Sequence, residues 1–246
     1  MQRRRAGSRL GAVLFTDIVS STLLAAEMGN TRWAELVARH HRTIRRLLDR
    51  FGGREEDTAG DGFFATFDRP ADAIRCAAAA ADEVRELGIE IRAGVAFGEL
   101  ERVGDKAGGL VVNTAARVMA VAGPGEVLVP ASVKDLVPGS GVDFGEHGVH
   151  RLKGLDGEFR LFRVIAVDGE ASAPPLGADE AAERRREIVP TPGGRRTSLI
   201  VGIAAALLAL GVVAVVLVTS REAPTIPPSS PGPLRDAVAQ LDPSDG

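Results

Sequence analysis

From Leu199 to Val218 the chain carries twenty consecutive residues without a polar or charged side chain. A helix of that length spans about 30 Å, the thickness of a bilayer's hydrocarbon core. The sequence therefore predicts one transmembrane helix over residues 198–219. Arg184, Arg185, Arg186, Arg195 and Arg196 precede the run, and only Arg221 and Arg235 follow it. The positive-inside rule then puts the N-terminal part in the cytoplasm, giving a single-pass protein of the cell membrane with its C-terminal tail outside. Gly202 and Ala206 form a small-xxx-small pair of the kind that lets two spans approach, although ordinary spans carry such pairs too. The basic start, Met1 to Arg5, leads only into the short apolar run Gly11 to Phe15 before Asp17. That run is too short for the core of a secretory signal.

Residues 1–167 mix apolar and charged side chains as a folded domain does. Residues 168–197 hold prolines, glycines and a charged patch, and read as a flexible linker with a short helix near Ala178 to Ile188. Residues 220–246 are Pro/Ser-rich, with too little apolar content for a core, and read as a disordered tail. The formal net charge of −3 offers no basic excess to attract a nucleic-acid backbone, so no nucleic-acid partner is expected. Cys76 is the only cysteine. It excludes an intrachain disulfide and reads as a buried small hydrophobe.

Within the domain, Leu10 to Val19 reads as a buried strand, with N-cap chemistry behind it in Ser20-Ser21-Thr22. Trp33, Leu36, Val37, His40, Ile44, Leu47, Leu48 and Phe51 recur at helical spacing before Gly52-Gly53 stops them. Trp33 is expected to anchor that helix in the core. Glu55 to Phe67 reads as a hairpin around Gly60-Asp61-Gly62, and Pro70 opens an alanine-rich helix to Leu87. A strand over Ile89 to Phe97, a loop from Gly104 to Gly109 and a helix from Leu110 to Ala122 follow. Next come a strand at Val127 to Val129, a short helix near Ser132 to Leu136, and two or three strands between Val142 and Val167. This order predicts the α/β (α+β) class, a ferredoxin-like βααββαβ sandwich with additional strands, followed by the transmembrane helix.

Asp17 stands where the first strand hands over to a helix, so its carboxylate and the helix's free N–H groups could face one ligand, cation beside phosphate. Asp61, at a hairpin tip between two glycines, is equally a common turn residue. The fold makes the first strand and the hairpin neighbours, which lets the two carboxylates share hard cations with a triphosphate. Asn113 and Arg117 lie four apart on one helical face. Arg117 could neutralise charge growing on phosphoryl oxygens and Asn113 could orient a ribose, or the pair could be plain exposed polar surface. His40, His41, His147 and His150 show no metal-site spacing and read as solvated or partly buried imidazoles.

These residues resemble the class III adenylate/guanylate cyclase catalytic domain. The family's Phe-x-Asp-Ile-x-x-Ser-Thr pattern appears at Phe15 to Thr22, its Gly-Asp-Gly hairpin at Gly60 to Gly62, its Val-Asn-x-Ala-x-Arg helix at Val112 to Arg117, and its Leu-Lys-Gly turn at Leu152 to Gly154. The resemblance covers residues 8 to 166. It implies a metal set of Asp17, Ile18 and Asp61 holding two Mg2+ or Mn2+ ions, and transition-state roles for Asn113 and Arg117. It implies triphosphate contacts from Lys153 and from Ser20, Ser21 and Thr22. It also implies a homodimer, because the family's site takes its metals from one domain and its asparagine and arginine from another.

The family's adenine-reading lysine and aspartate fall here at Asp57 and Lys106, with the charges reversed, although the Gly104 to Gly109 loop could instead bring Asp105 forward. An acid at 57 and a base at 106 suit guanine's N1 donor and O6 acceptor, or the two form a salt bridge and read no base. Phe97 stands where relatives carry a small polar residue and reads as packing. A diguanylate cyclase would need a Gly-Gly-(Asp/Glu)-Glu-Phe signature, absent at Gly60 to Phe64. A catalytically silent nucleotide-binding signalling domain is the alternative outside enzymes. ATP is the expected substrate over GTP, and turnover of the two by purified residues 1–167 with magnesium or manganese decides: faster cyclic AMP formation is expected, and faster cyclic GMP formation selects the guanine reading.

Overall fold

The computed structural model describes residues 8–103 and 106–188. The expected membrane span and tail lie outside the described residues, and among those described no helix is long and apolar enough to cross a membrane. The chain runs β1 (Arg9–Ile18), α1 (Ser21–Met28), α2 (Asn30–Phe51), β2 (Arg54–Ala59), β3 (Gly62–Phe67) and α3 (Pro70–Glu83). It continues through β4 (Ile91–Val103), β5 (Lys106–Gly108), α4 (Leu110–Val121), β6 (Val127–Pro130), α5 (Ala131–Lys134), β7 (Val142–His150), β8 (Phe159–Val167), β9 (Glu170–Ala171) and α6 (Ala178–Ile188). The strands form one mixed sheet in the order β2-β3-β1-β4-β6-β8-β7, with β5 added to β4 and β9 to β8.

Alternation along β1 builds two layers on this sheet. Ala12, Leu14 and Ile18 join the main core with Leu36, Ile44 and Leu47 of α2 and the alanines of α3, while Val13 faces the other way, against Phe64, Ala96, Leu100 and Val111 and Ala115 of α4. Period-two strands force this split, since successive side chains leave a strand on opposite faces. Small residues set the helix-to-sheet distance. Ala73, Ala77, Ala80 and Ala81 are all buried on α3, so its backbone lies close to the strands. Burial pushes the Cys76 thiol on the same helix up to about 12, which leaves it an inert core side chain. On the opposite face, a methyl group on Gly94 of β4 would stand 2.2 Å from the Met119 nitrogen and 2.6 Å from the Ala115 carbonyl oxygen. Gly94 is thus where α4 crosses the sheet backbone to backbone.

Three stretches differ from what periodicity predicts. The helix from Pro70 ends at Glu83 and tightens into a 3-10 turn, Val84–Leu87, closed by Gly88 at φ 69°. The expected loop at 104–109 contains β5, which pairs Glu101 to Gly108 and Arg102 to Ala107 across a longer β4. Residues 168–188 belong to the expected linker: the short helix expected near Ala178 to Ile188 is present as α6, and the stretch lies along the domain as a strap. β9 pairs with β8, the Ala173 carbonyl accepts from the Arg85 guanidinium (2.8 Å), and the Leu176 N–H donates to the Glu90 carboxylate (2.8 Å). Arg184 donates to the Arg85 carbonyl (3.1 Å), and Ala181 of α6 is buried. Composition read this stretch as linker because its apolar residues are few; polar partners in the domain hold it instead.

Gly94→Ala is expected to lower the unfolding free energy by about 1–3 kcal/mol, the usual range for forcing an extra methylene into a packed contact, measured by urea denaturation monitored by circular dichroism.

Candidate active site

The strand pairing that fixes the sheet also fixes the acidic residues. β1 is antiparallel to β3 on one side, with Thr16 opposite Phe63, and to β4 on the other, with Asp17 opposite Arg92. The Gly60-Asp61 turn therefore ends beside the C-terminal end of β1. Asp61 Oδ2 accepts from the Ile18 N–H (3.2 Å), and a methyl group on Gly62 would stand 3.3 Å from the Thr16 carbonyl and 3.8 Å from Asp17 Oδ1. The structure thus brings Asp17, Ile18 and Asp61 together. Burial raises the Asp61 carboxyl above its ordinary range and the nearby Asp17 charge raises it further, against hydrogen bonds from its own N–H, the Ser21 hydroxyl and the Ile18 N–H.

Past Ile18 the backbone makes an abrupt turn. Ser20 takes a left-handed conformation, φ 57° and ψ 29°, and no side chain caps α1. The N-cap chemistry predicted for the serine–threonine cluster is not used within the chain: Ser20 and Thr22 are exposed and Ser21 half-buried, while Ser21 turns its hydroxyl to Asp61. A serine held at positive φ costs on the order of 1–3 kcal/mol and marks a position the surrounding fold dictates.

Asn113 and Arg117 lie exposed on α4, whose inward face is Val111, Ala115 and Val118. Lys153 is exposed in the turn after β7. Among the described residues no hydrogen bond or ion pair joins these three to the carboxylate pair. Asp57 is half-buried on β2, and its Oδ1 accepts from the Thr58 N–H (3.0 Å). Lys106 opens β5; its side chain, and Asp105 altogether, lie outside the described residues.

The sequence reading gave no site role to four side chains in this region. Arg92 donates to Asp17 Oδ2 from Nη2 (2.6 Å) and Nε (3.2 Å). Charge alternation on a strand paired with β1 would have found it, had the register been known. His40 and His41 face the hairpin, at 3.2 Å from the Asp61 carbonyl oxygen and 3.0 Å from that of Gly60. Glu56, at the irregularity between Glu55 and Asp57, has a side chain only 2% exposed. Its carboxylate accepts from the Thr66 hydroxyl (2.9 Å) and the Ala107 N–H (3.2 Å), tying the hairpin to β5.

The donor set suits a hard divalent cation. Two carboxylates meet at the C-terminal end of β1, and their mutual repulsion is the kind a cation relieves. Among the described residues no three His, Cys, Asp or Glu side chains gather in metal-ligating geometry, so an ion here would complete its shell with water or ligand oxygens, as Mg2+ commonly does.

The family model for the adenylate and guanylate cyclase catalytic domain matches residues 9–165, and the chain belongs to that family. It is similar to a putative adenylate cyclase of Rhizobium meliloti, 27% identical over 180 residues covering 70% of this chain and 31% of the relative. An adenylate cyclase of Glutamicibacter nicotianae is 35% identical over 123 residues, covering 49% of this chain and 30% of the relative. The chain thus spans about a third of the length of these relatives. Among solved structures, the adenylyl cyclase CyaB of P. aeruginosa matches with a TM-score of 0.60 at 19% identity, covering 70% of this chain and 100% of that one. The guanylate cyclase domain of Catenaria anguillulae in complex with GTP matches at 0.58 and 20%, covering 66% and 100%. The described domain thus has the mixed α+β cyclase fold, with the carboxylate pair at the end of its central strand.

An acid whose pKa is raised by folding stabilises the fold most when protonated, and that contribution is lost as the pH rises from its unfolded pKa through its folded one. At neutral pH the ionised Asp61 is therefore a cost to the metal-free protein. Asp61→Asn is expected to raise the metal-free melting temperature at pH 7 by roughly 1–3 °C, what a fraction of a kcal/mol gives in a domain of this size, with the difference vanishing near pH 3; differential scanning fluorimetry across pH checks both.

Proposed function

We propose that this domain converts ATP to 3',5'-cyclic AMP and pyrophosphate, at a site shared between two copies of the chain. The observation that carries the reading is the Asp17–Asp61 pair at the β1 terminus, in a chain belonging to the cyclase family. Two Mg2+ or Mn2+ ions, held by these carboxylates and the backbone oxygen of Ile18, would polarise the α-phosphoryl group and acidify the ribose 3'-hydroxyl. The 3'-oxygen forms its bond to the α-phosphorus as its proton passes to solvent water, and the bond from that phosphorus to the α–β bridging oxygen breaks. Pyrophosphate departs with the electron pair.

Arg117 neutralises charge on the phosphoryl oxygens in the transition state, and Asn113 orients the ribose. Ser20, Ser21, Thr22 and the uncapped N–H groups of α1 receive phosphate oxygens, and Lys153 adds positive charge to the triphosphate. Arg92 pairs with Asp17, and a cation on that carboxylate would compete with it. Asn113 and Arg117 sit exposed on a different element from the carboxylates, which supports a site completed by a second copy. A two-fold pair of this kind has two equivalent sites, each with metals from one chain and the arginine from its partner.

Asp57 favours a second reading, GTP to cyclic GMP. It is half-buried, four residues before Asp61 on the strand leading to it, and an acceptor there suits the N1–H of guanine. The arginine asymmetry about residues 198–219 supports a cytoplasmic domain tethered to the cell membrane, with the tail outside.

Asp17→Asn and Arg117→Ala are each expected to lower cyclase turnover at least ~100-fold, the scale of losing one preorganised charge at a reacting phosphate. A one-to-one mixture of the two variants is expected to recover about a quarter of wild-type activity, because half the randomly paired dimers are mixed and each mixed dimer holds one intact site. Recovery is read as cyclic nucleotide formed per chain; its complete absence in exchanging, folded dimers speaks against a shared site.

A further inference from the structure

Behind the carboxylate pair, two consecutive histidines of α2 grip the turn that presents Asp61. We propose that His40 and His41 are positioning residues that hold the Gly60 and Asp61 carbonyls, and so set where the Asp61 carboxylate meets a divalent cation. This rests on the reading of Asp61 as a metal ligand.

In the two-residue turn between Ala59 and Gly62, Gly60 has φ 63° and Asp61 follows it. His41 Nε2 lies 3.0 Å from the Gly60 oxygen and His40 Nε2 lies 3.2 Å from the Asp61 oxygen. Both rings meet Phe63 edge-on, with centroids 5.1 and 5.8 Å away. The rings thus approach the turn as a fork, with Phe63 as the common stop. With the Ile18 N–H on its carboxylate, Asp61 is held at both its backbone and its side chain.

His40 is a poor choice if stability were all that mattered at its position. Leu36 and Ile44, one helical turn to either side, are buried aliphatics, and His40 is fully buried between them. Burial lowers its pKa to about 4, so the ring is neutral at ordinary pH and carries a single N–H. A carbonyl can only accept, which assigns that proton to Nε2. Nδ1 is then left buried with no hydrogen-bond partner, a state that costs on the order of 1–3 kcal/mol. Leucine would avoid that cost and lose only the grip on Asp61. The imidazole is explained by what it holds.

The test is the Mn2+ concentration giving half-maximal cyclase activity, with melting temperature measured on the same samples of the full chain, for wild type, His40→Leu, His40→Gln, His41→Leu and Asp61→Asn. His40→Leu is expected to raise the Mn2+ requirement about 10–100-fold, the usual loss when a group orienting a metal ligand is removed, with the melting temperature unchanged or higher. His40→Gln, whose amide N–H reaches about as far as Nε2, is expected to return most of the Mn2+ affinity. His41→Leu, at a partly exposed position, should give a smaller shift and keeps the test informative if His40→Leu fails to fold. An unchanged Mn2+ requirement in folded His40→Leu or His41→Leu overturns the proposal, as does glutamine behaving no better than leucine. If Asp61→Asn leaves the Mn2+ response intact, the metal-ligand reading of Asp61 itself has failed.

Discussion

The antiparallel pairing of β1 with β3 and β4 is the constraint on which everything else in this domain depends. Because Thr16 lies opposite Phe63 and Asp17 opposite Arg92, two carboxylates far apart in sequence meet at the C-terminal end of β1. A one-residue slip would send every side chain of β1 to the opposite face, exchanging Leu14 for Val13 in the main core and turning Asp17 toward α2 and α3. The large aliphatic core on one face and the α4 contact on the other therefore fix the position of the acidic pair. Gly94 makes the same point from β4, since α4 can lie where it does only against a residue without a side chain.

Around that end of β1 the chain carries features that cost stability. Burial and the neighbouring Asp17 disfavour the charged form of Asp61, Ser20 is held in a left-handed conformation, and His40 keeps one ring nitrogen unpaired in the core. Each is a local departure from the best-packed solution, and all three surround one spot. Arg92 offsets part of the charge by pairing with Asp17. Such concentration of strain and repulsion is what a site prepared for a cation and phosphates would need, with the ligand supplying the missing compensation.

Much of this was legible in the sequence, for identifiable reasons. The helix through Trp33 to Phe51 announced itself by apolar spacing, and its observed range, Asn30–Phe51, differs only at the start. The hairpin around Gly60 to Gly62 was readable from its glycines, and Asp17 and Asp61 from their places in a motif. Residues that act through geometry were not readable. Arg92 matters only because of strand register, and Glu56 only because an irregularity in β2 turns it inward toward β5. His40 fits the apolar pattern of its helix so well that periodicity files it as core. In the strap over 168–188 the helix at Ala178–Ile188 was readable, while its contacts were not: composition reports apolar content, whereas that segment is held by Arg85, Glu90 and the edge of β8.

The central claim, that the C-terminal end of β1 is a two-cation site built on Asp17 and Asp61, is tested most directly by counting bound Mn2+ with electron paramagnetic resonance. The sample is the full chain, saturated with an ATP analogue carrying a methylene bridge between its α- and β-phosphorus atoms. The account predicts two Mn2+ ions per nucleotide-filled site in the wild type and the loss of protein-dependent Mn2+ binding in the Asp17→Asn/Asp61→Asn double variant. Undiminished Mn2+ binding by that double variant, with the fold intact by circular dichroism, would contradict it.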